Sequence, residues 1–127
     1  MSPSRLPLVF GSHRARVDRD PDALARVISR SVPVRDLAPR EPRQPFLHRT
    51  TQVRGSQLAI TAAAHSPLRG ANHAQAQSIF TLTIVGEKRF LVEGRPFRAR
   101  AGHNALLLPG APYTLETSLS SGVVFSV

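Results

Sequence analysis

The sequence predicts an all-β fold, a sandwich or barrel, preceded by one short helix. From Phe46 onward, short segments of alternating polarity are separated by Gly- and Pro-containing turns, and strands at this spacing are typical of sandwiches and barrels. Apolar residues recur with period two in 78–85, 88–93 and 96–100, as half-buried strands require. The chain has 127 residues, 41% of them hydrophobic, which fits one domain with one core.

The first residues of the chain, 1–19, are predicted to form a flexible basic arm. Arg14, Arg16 and Arg19 lie there among few apolar residues, and chain termini are mobile unless packing holds them. A short helix follows in "DRDPDALARVISRSV", where Asp20 suits the N-cap. The apolar residues of this helix fall on one face: Leu24, Val27 and Ile28.

The proline-rich stretch "PVRDLAPREPRQPF" is predicted to be a loop or an extended lead-in, because its four prolines exclude a regular helix. The predicted strand segments are 47–53, 57–65, 78–85, 88–93, 96–100, 104–108, 113–117 and 122–127. Residues 67–70 are interpreted as a turn. The segment "NALLL" is apolar on both faces, so it is predicted to be a central strand.

The chain is strongly basic, with a formal net charge of +9 that comes almost wholly from arginine; Lys88 is its one lysine. Such a charge suits an anionic ligand or a nucleic acid, but it can also serve solubility alone. The arginines are scattered and aromatic residues are few, so a base-stacking surface is not indicated. The lack of cysteine excludes disulfides and thiolate zinc sites. No apolar run has membrane-spanning length and no signal peptide is evident, so we expect a cytoplasmic protein without membrane contact.

The segment "RARAGHNALLLPGAPYTLE" has a glycine frame that resembles the second motif of the cupin superfamily, G-x5-P-x-G-x2-H-x3-N. Gly102 and Gly110 occupy the two glycine positions, where tight turns end the strands. Tyr113 stands at the metal-binding histidine, Leu108 at the proline and Thr117 at the asparagine. The resemblance implies a cupin-like double-stranded β-helix, or jelly roll, that has lost a metal ligand.

The first cupin motif, G-x5-H-x-H-x(3–4)-E-x6-G, is less complete. With its last glycine at Gly86, His73 and Gln75 take the histidine positions, and Ile79 takes the glutamate position. One ligand of four then remains, whereas protein sites for zinc or iron use about three to four ligands. We therefore predict a barrel without metal or cofactor.

Roughly residues 20–117 resemble a narrower group, the N-terminal effector-binding and dimerisation domain of AraC-family transcription regulators. The resemblance rests on the helix, on "VRGSQLAIT" and on "LTIVGEKRFLVEGRPFRARAGHNALLLPGAPYTLE". It implies one sensor domain over 20–127 that binds a small organic effector, forms a homodimer and is joined to a C-terminal DNA-binding domain. No helix-turn-helix pattern occurs in this chain, so DNA contact is expected only through such a further domain.

Catalytic patterns are not evident in the sequence. The G-x-S-x-G motif does not occur, and no pair of carboxylates is indicated for acid–base chemistry, so we expect a protein without enzymatic activity. Two alternatives stay open: a structural or interaction module with a filled core and no pocket, and a free-standing cupin, including a metal-dependent dioxygenase or isomerase. Such an enzyme needs metal ligands that the two motifs do not supply.

The candidate effector-binding residues are Tyr113, His73, Gln75, Thr81, Thr83 and Arg69. The tyrosine takes a position that lines the lumen in the barrels it resembles, and the histidine and glutamine form a polar pair nearby. The two threonines point inward if Ile79 does, because side chains two apart on a strand share a face. The arginine, near the barrel mouth, would bind an anionic group. The simpler alternatives are a core tyrosine, a surface loop, a solvent-facing strand and a solvated arginine.

Overall fold

The computed structural model describes residues 2–28, 34–72 and 76–127, in which two antiparallel β-sheets face each other. A 3₁₀ turn at Pro3–Arg5 and helix α1 (Pro21–Ile28) accompany the strands. The strands are β1 (Arg16–Asp18), β2 (Val34–Pro39), β3 (His48–Arg54), β4 (Ala59–His65), β5 (Leu68–Asn72), β6 (Ile79–Val85), β7 (Glu87–Val92), β8 (Arg95–Arg100), β9 (Asn104–Leu107), β10 (Tyr113–Thr117) and β11 (Ser120–Ser126). One sheet has the order β1-β3-β4-β11-β6-β9 and the other the order β2-β5-β10-β7-β8. The predicted all-β fold with a short helix is confirmed.

Strand β6 shows how the predicted two-residue alternation sets the inner face of a sheet. Ile79, Thr81 and Thr83 are buried between the sheets, whereas Phe80 and Ile84 lie on the outer face. The threonines therefore share the inner face with Ile79, as the parity argument requires. Strands β11 and β9 pair with β6 on its two sides and fix this register.

Helix α1 begins where the sequence predicts. The Asp20 carboxylate accepts a hydrogen bond from the Asp22 backbone N–H at 3.0 Å, which satisfies one of the free donors of the first turn. Leu24, on the predicted apolar face, is buried against Phe46 and Leu68. Because Leu68 opens β5, this contact holds the helix against the five-stranded sheet.

Two strands lie where the sequence analysis placed irregular chain. The proline-rich lead-in contains β2, and the expected turn at 67–70 runs into β5, with which β2 pairs. Pro39 is the last residue of β2, where the lack of a backbone N–H donor disturbs strand pairing little. A β-bulge separates Arg35 from Ala38 on β2. Gly70 lies opposite, inside β5, where a Cβ would make ordinary van der Waals contact with the Leu37 side chain at 3.4 Å, so this glycine is a strand residue rather than a turn residue.

The segment "NALLL" was predicted to be a central strand, and this prediction is wrong. Strand β9 is the last strand in the order of the six-stranded sheet and pairs with β6 alone in that sheet. Ala105 and Leu107 face the core, whereas Leu106 is 59% exposed and Leu108 is 60% exposed. Apolar residues on both faces of a strand thus do not require that both faces be covered.

The N-terminal segment, expected to be a flexible arm, lies against the six-stranded sheet in the structure. Leu6 is buried, and the Arg49 guanidinium donates hydrogen bonds to the Pro3 carbonyl at 3.0 Å and to the Leu6 carbonyl at 2.6 Å. Residues 16–18 form β1, which pairs with the start of β3. These contacts leave little trace in the sequence, because they involve one buried leucine, Leu6, and the three paired residues of β1.

The two glycines of the motif frame adopt the backbone conformation that favours glycine. Gly102 has φ of 85° and Gly110 has φ of 82°, both in the left-handed region. The predicted turn role of both glycines is therefore confirmed. Among the described residues, no helix has the length and apolar character needed to cross a bilayer.

Candidate functional site

A cavity of about 560 Å³ lies between the two sheets. Inward-facing side chains of both sheets line it, and α1 adds Leu24 and Ile28. Most of the wall is apolar, with Ile79, Phe90 and Leu107 among the buried side chains. The size and the sparse polar groups match pockets for small organic molecules, which typically measure about 300–1,000 Å³.

Lys88 is the most unusual group in this wall. It lies on β7 with the same parity as Phe90, faces inward and is only 6% exposed. Its cross-strand neighbours are Ala99 on β8 and Thr117 on β10. It makes no hydrogen bond or ion pair with any of the residues that the structure describes. Burial lowers the pKa of the ammonium group to about 8, because removal from water disfavours the charged form.

Two histidines from the six-stranded sheet line the same cavity. His48 on β3 and His65 on β4 are cross-strand partners, and their rings stack with centroids 5.1 Å apart and an interplanar angle of 6°. Burial lowers the pKa of His65 to about 4 and that of His48 well below its usual value, and the charge of Lys88 adds to both effects. Both rings are therefore neutral at physiological pH.

Hydrogen bonding fixes the tautomer of His65 but allows either tautomer of His48. The Ser66 carbonyl lies 2.8 Å from His65 Nδ1 and can only accept, so Nδ1 carries the proton and Nε2 is an acceptor in the neutral ring. His48 Nδ1 lies 2.8 Å from the Thr50 hydroxyl, which can serve as donor or acceptor. The histidine pair thus supplies orientation and hydrogen-bonding capacity but no charge.

Tyr113 lines the cavity, as predicted for a residue at the lumen. Its hydroxyl oxygen accepts a hydrogen bond from Asn72 Nδ2 at 3.1 Å, and the two residues face each other across β10 and β5. Burial raises the pKa of this phenol, so it stays protonated and keeps one O–H to donate. The buried Asn72 Oδ1 has no partner among the described residues. A bound molecule can therefore find a donor and an acceptor at this point.

The two candidate threonines differ in their access to the cavity. Both hydroxyls are buried and without a hydrogen-bond partner among the described residues. Thr81 lines the cavity, whereas Thr83 is fully buried and is not part of the cavity wall. Thr81 can bind a ligand directly, and Thr83 can act only through packing.

Arg69 is separated from the other candidates. It follows the inward-facing Leu68 on β5, so its exposed side chain lies on the outer face, opposite Glu116 of β10. There it borders an open groove together with Arg89. His73 and Gln75, the other two candidates, lie outside the described residues.

The rim of the cavity is basic. Arg14 and Arg16 from the N-terminal segment and Arg54 from the end of β3 line it. Asp18 is the carboxylate among the described lining residues, and Arg16 binds both of its oxygens, with Nε–Oδ2 at 2.9 Å and Nη2–Oδ1 at 3.0 Å. Cationic side chains therefore outnumber anionic ones around the space.

Sequence reasoning missed the three residues that give the cavity its chemistry. No motif spacing links His48 with His65, and Lys88 stands out in the sequence only as the lone lysine. One signal was present: Lys88 shares parity with Phe90 in "EKRFLV", so the alternation that places Phe90 inside also places the lysine there. Within the described ranges, no group of three or more His, Cys, Asp or Glu side chains is placed to hold a metal ion.

No protein-family model matches the sequence, and no curated protein matches it. Solved structures do match the fold. The AraC-like transcriptional activator CuxR superposes with a TM-score of 0.73 at 13% identity, over 89% of this chain and 46% of that one, so the chain spans about half its length. An ethanolamine utilization protein, EutQ of Salmonella typhimurium, matches with a TM-score of 0.54 at 16% identity, over 71% of this chain and 76% of that one. A cupin-like protein of Thermotoga maritima matches with a TM-score of 0.54 at 10% identity, over 65% of this chain and 71% of that one. The chain is a cupin-fold domain.

Proposed function

We propose that this chain is the effector-binding domain of an AraC-type transcription regulator and that it binds a small organic molecule between its sheets without a metal. The cavity of about 560 Å³ carries this proposal. The resemblance of residues 20–117 to AraC-type sensor domains supports the regulatory part, as does the likeness of the fold to CuxR.

The chemistry of the cavity wall suits reversible binding. An apolar ligand body gains free energy when it leaves water for the surfaces of Ile79, Phe90 and Leu107. The Tyr113 hydroxyl and Asn72 Oδ1 then offer a donor and an acceptor that orient the molecule. No step of this binding requires a bond to be made or broken.

The N-terminal elements offer a route by which ligand binding in the cavity reaches other parts of the protein. Leu24 and Ile28 of α1, together with Asp18 of β1, border the same space as the sheet residues. A ligand that touches these elements stabilises them against the barrel and shifts the balance between two arrangements in proportion to its differential affinity. In a regulator, such a shift would reach the dimer or the DNA-binding region.

A titration with N-phenyl-1-naphthylamine, a neutral dye that fluoresces in apolar surroundings, tests the ligand-binding part. Ala63 lies on the inner face of β4 and lines the cavity, so Ala63→Phe fills the space. The matched control, Ala101→Phe, adds the same side chain at an exposed turn position. We expect stoichiometric binding to the wild type and the control and at least about a tenfold loss in Ala63→Phe. Equal binding by all three proteins contradicts a site in the cavity.

Two further measurements test the rest of the proposal. Metal analysis of the purified protein should find no stoichiometric Fe, Mn, Ni or Zn; stoichiometric metal supports a metal-dependent cupin instead. The coding DNA beyond Val127 should continue into two helix-turn-helix units. A stop codon directly after Val127 contradicts the regulator assignment and leaves the ligand-binding part to be judged by the dye titration.

A further inference from the structure

The buried lysine requires an explanation that the fold alone does not give. Lys88 is 6% exposed, and no described residue pairs with its ammonium group. Lysine is almost never fully buried without a partner, because an unpaired charge loses its hydration. The side chain lines the cavity, so the missing partner can come from a molecule bound there.

The neighbouring side chains do not neutralise this cation. His48 and His65 face it from β3 and β4, and a neutral imidazole carries no negative charge. Ala99 and Thr117 flank it on β8 and β10. The carboxylate on β1, Asp18, is already bound at both oxygens by Arg16.

We propose that the ligand of this cavity is a small organic anion whose acidic group binds Lys88, with its apolar body along Phe90, Ile79 and Leu107. This inference rests on the proposed function and adds the chemical class of the effector. The ammonium group offers three N–H donors to the oxygens of a carboxylate or phosphate. The Thr117 hydroxyl, which already accepts from the Leu68 N–H at 3.3 Å, keeps its own proton to donate to the same oxygens.

Binding of an anion should depend on pH in a defined window. The pKa of about 8 means that Lys88 is mostly charged at pH 7 and mostly neutral at pH 9. Among the other titratable groups that line the cavity, His48 and His65 stay neutral throughout this window because burial lowers their pKa values, and Tyr113 stays protonated because burial raises its pKa. The charged lining residues are Arg14, Arg16, Arg54 and Asp18. Affinity for an anion should therefore fall about tenfold between pH 7 and pH 9.

The experiment uses three competitors with one ring system. At pH 7, 1-naphthol, 1-naphthoate and 1-naphthyl phosphate displace N-phenyl-1-naphthylamine from the full chain. We expect one or both anions to bind about tenfold or more tightly than the neutral alcohol, since a charge-assisted hydrogen bond in a buried site is worth about that factor. The preferred anion distinguishes a carboxylate effector from a phosphate effector.

Two variants locate the anion preference. Lys88→Gln should remove it, whereas Arg89→Gln should keep it. Both variants lose one positive charge at adjacent positions of β7, but Arg89 lies exposed at the outer groove. If Lys88→Gln does not fold, the pH dependence of the wild type serves as the test instead. Its affinity for 1-naphthoate should fall about tenfold from pH 7 to pH 9.

The possible outcomes separate this inference from the proposed function. Equal affinity for the alcohol and the anions overturns the anion proposal, and so does an anion preference that survives Lys88→Gln or does not change with pH. If instead the neutral dye itself fails to bind the wild type, the proposed ligand cavity fails. Dye binding without an anion preference leaves the proposed function standing and removes only the inference.

Discussion

Acid should destabilise this domain well above the pH at which carboxylates titrate, because two buried histidines must be protonated. The pKa of His65 falls from 6.5 to about 4 on folding, so the unfolded chain binds a proton at a pH where the folded chain does not. Stability is therefore lost as the pH falls from 6.5 toward 4. The full contribution of His65 is about 3 kcal/mol, of which about 2 kcal/mol is already lost at pH 5. His48 acts in the same direction.

Urea unfolding at pH 7, 6 and 5 measures this effect, and His65→Asn isolates it. The asparagine Nδ2 can donate to the Ser66 carbonyl in place of the imidazole Nδ1, but it cannot take up the second proton. We expect the free energy of unfolding of this variant to vary with pH by roughly 2 kcal/mol less than that of the wild type over the range. His13→Asn, which makes the same replacement at an exposed position, is the matched control.

Two results would contradict a loss of stability through protonation of the buried histidines. One is a wild-type free energy of unfolding that is the same at pH 5 and pH 7. The other is a pH dependence in His65→Asn as steep as that of the wild type. Either result means that the two histidine rings reach water in the folded state, contrary to their burial in the structure.

Three further predictions concern single side chains. Gly122→Ala should prevent folding or strongly lower the free energy of unfolding, because the new Cβ would collide with the backbone carbonyl of Leu82. Circular dichroism should show loss of the folded signal, and a free energy of unfolding equal to that of the wild type contradicts the prediction. Thr83→Val should raise the free energy of unfolding, measured in urea, by up to about 1 kcal/mol, because it replaces a buried hydroxyl that has no partner among the described residues. A decrease of more than about 1 kcal/mol would mean that the hydroxyl makes a hydrogen bond in the folded protein. Tyr113→Phe should lower the free energy of unfolding by about 1 kcal/mol, because Asn72 Nδ2 loses its acceptor; an unchanged value would mean that water replaces the hydroxyl.

The sequence predicts the strands that alternate cleanly and the turns that require glycine. The β6 alternation even predicts that Thr81 and Thr83 share a face with Ile79, and the structure shows this face buried. The prediction of strands and turns fails where the local sequence signal differs from the strand pairing in the structure. Gly70 has the residue type of a turn, yet it lies inside β5, where pairing with the bulged strand β2 and with β10 holds it extended.

The polar end of the cavity is beyond sequence reasoning for a different reason. His48 and His65 meet only through the register of β3 with β4, and Lys88 reaches them only when the second sheet packs across. No spacing along the chain encodes contacts of this kind. For Arg69, strand alternation alone decides the position. It is the residue after the inward-facing Leu68, so its side chain lies on the outer face and not in the cavity.

Binding of a small organic molecule between the two sheets can be observed directly through amide chemical shifts. In ¹H–¹⁵N spectra, we would add 1-naphthoate or 1-naphthol, whichever displaces the dye more effectively. We expect the largest shift changes at inner-face positions such as Lys88, Phe90 and Thr117. Changes concentrated around Arg69 and Thr114 at the outer groove would contradict it.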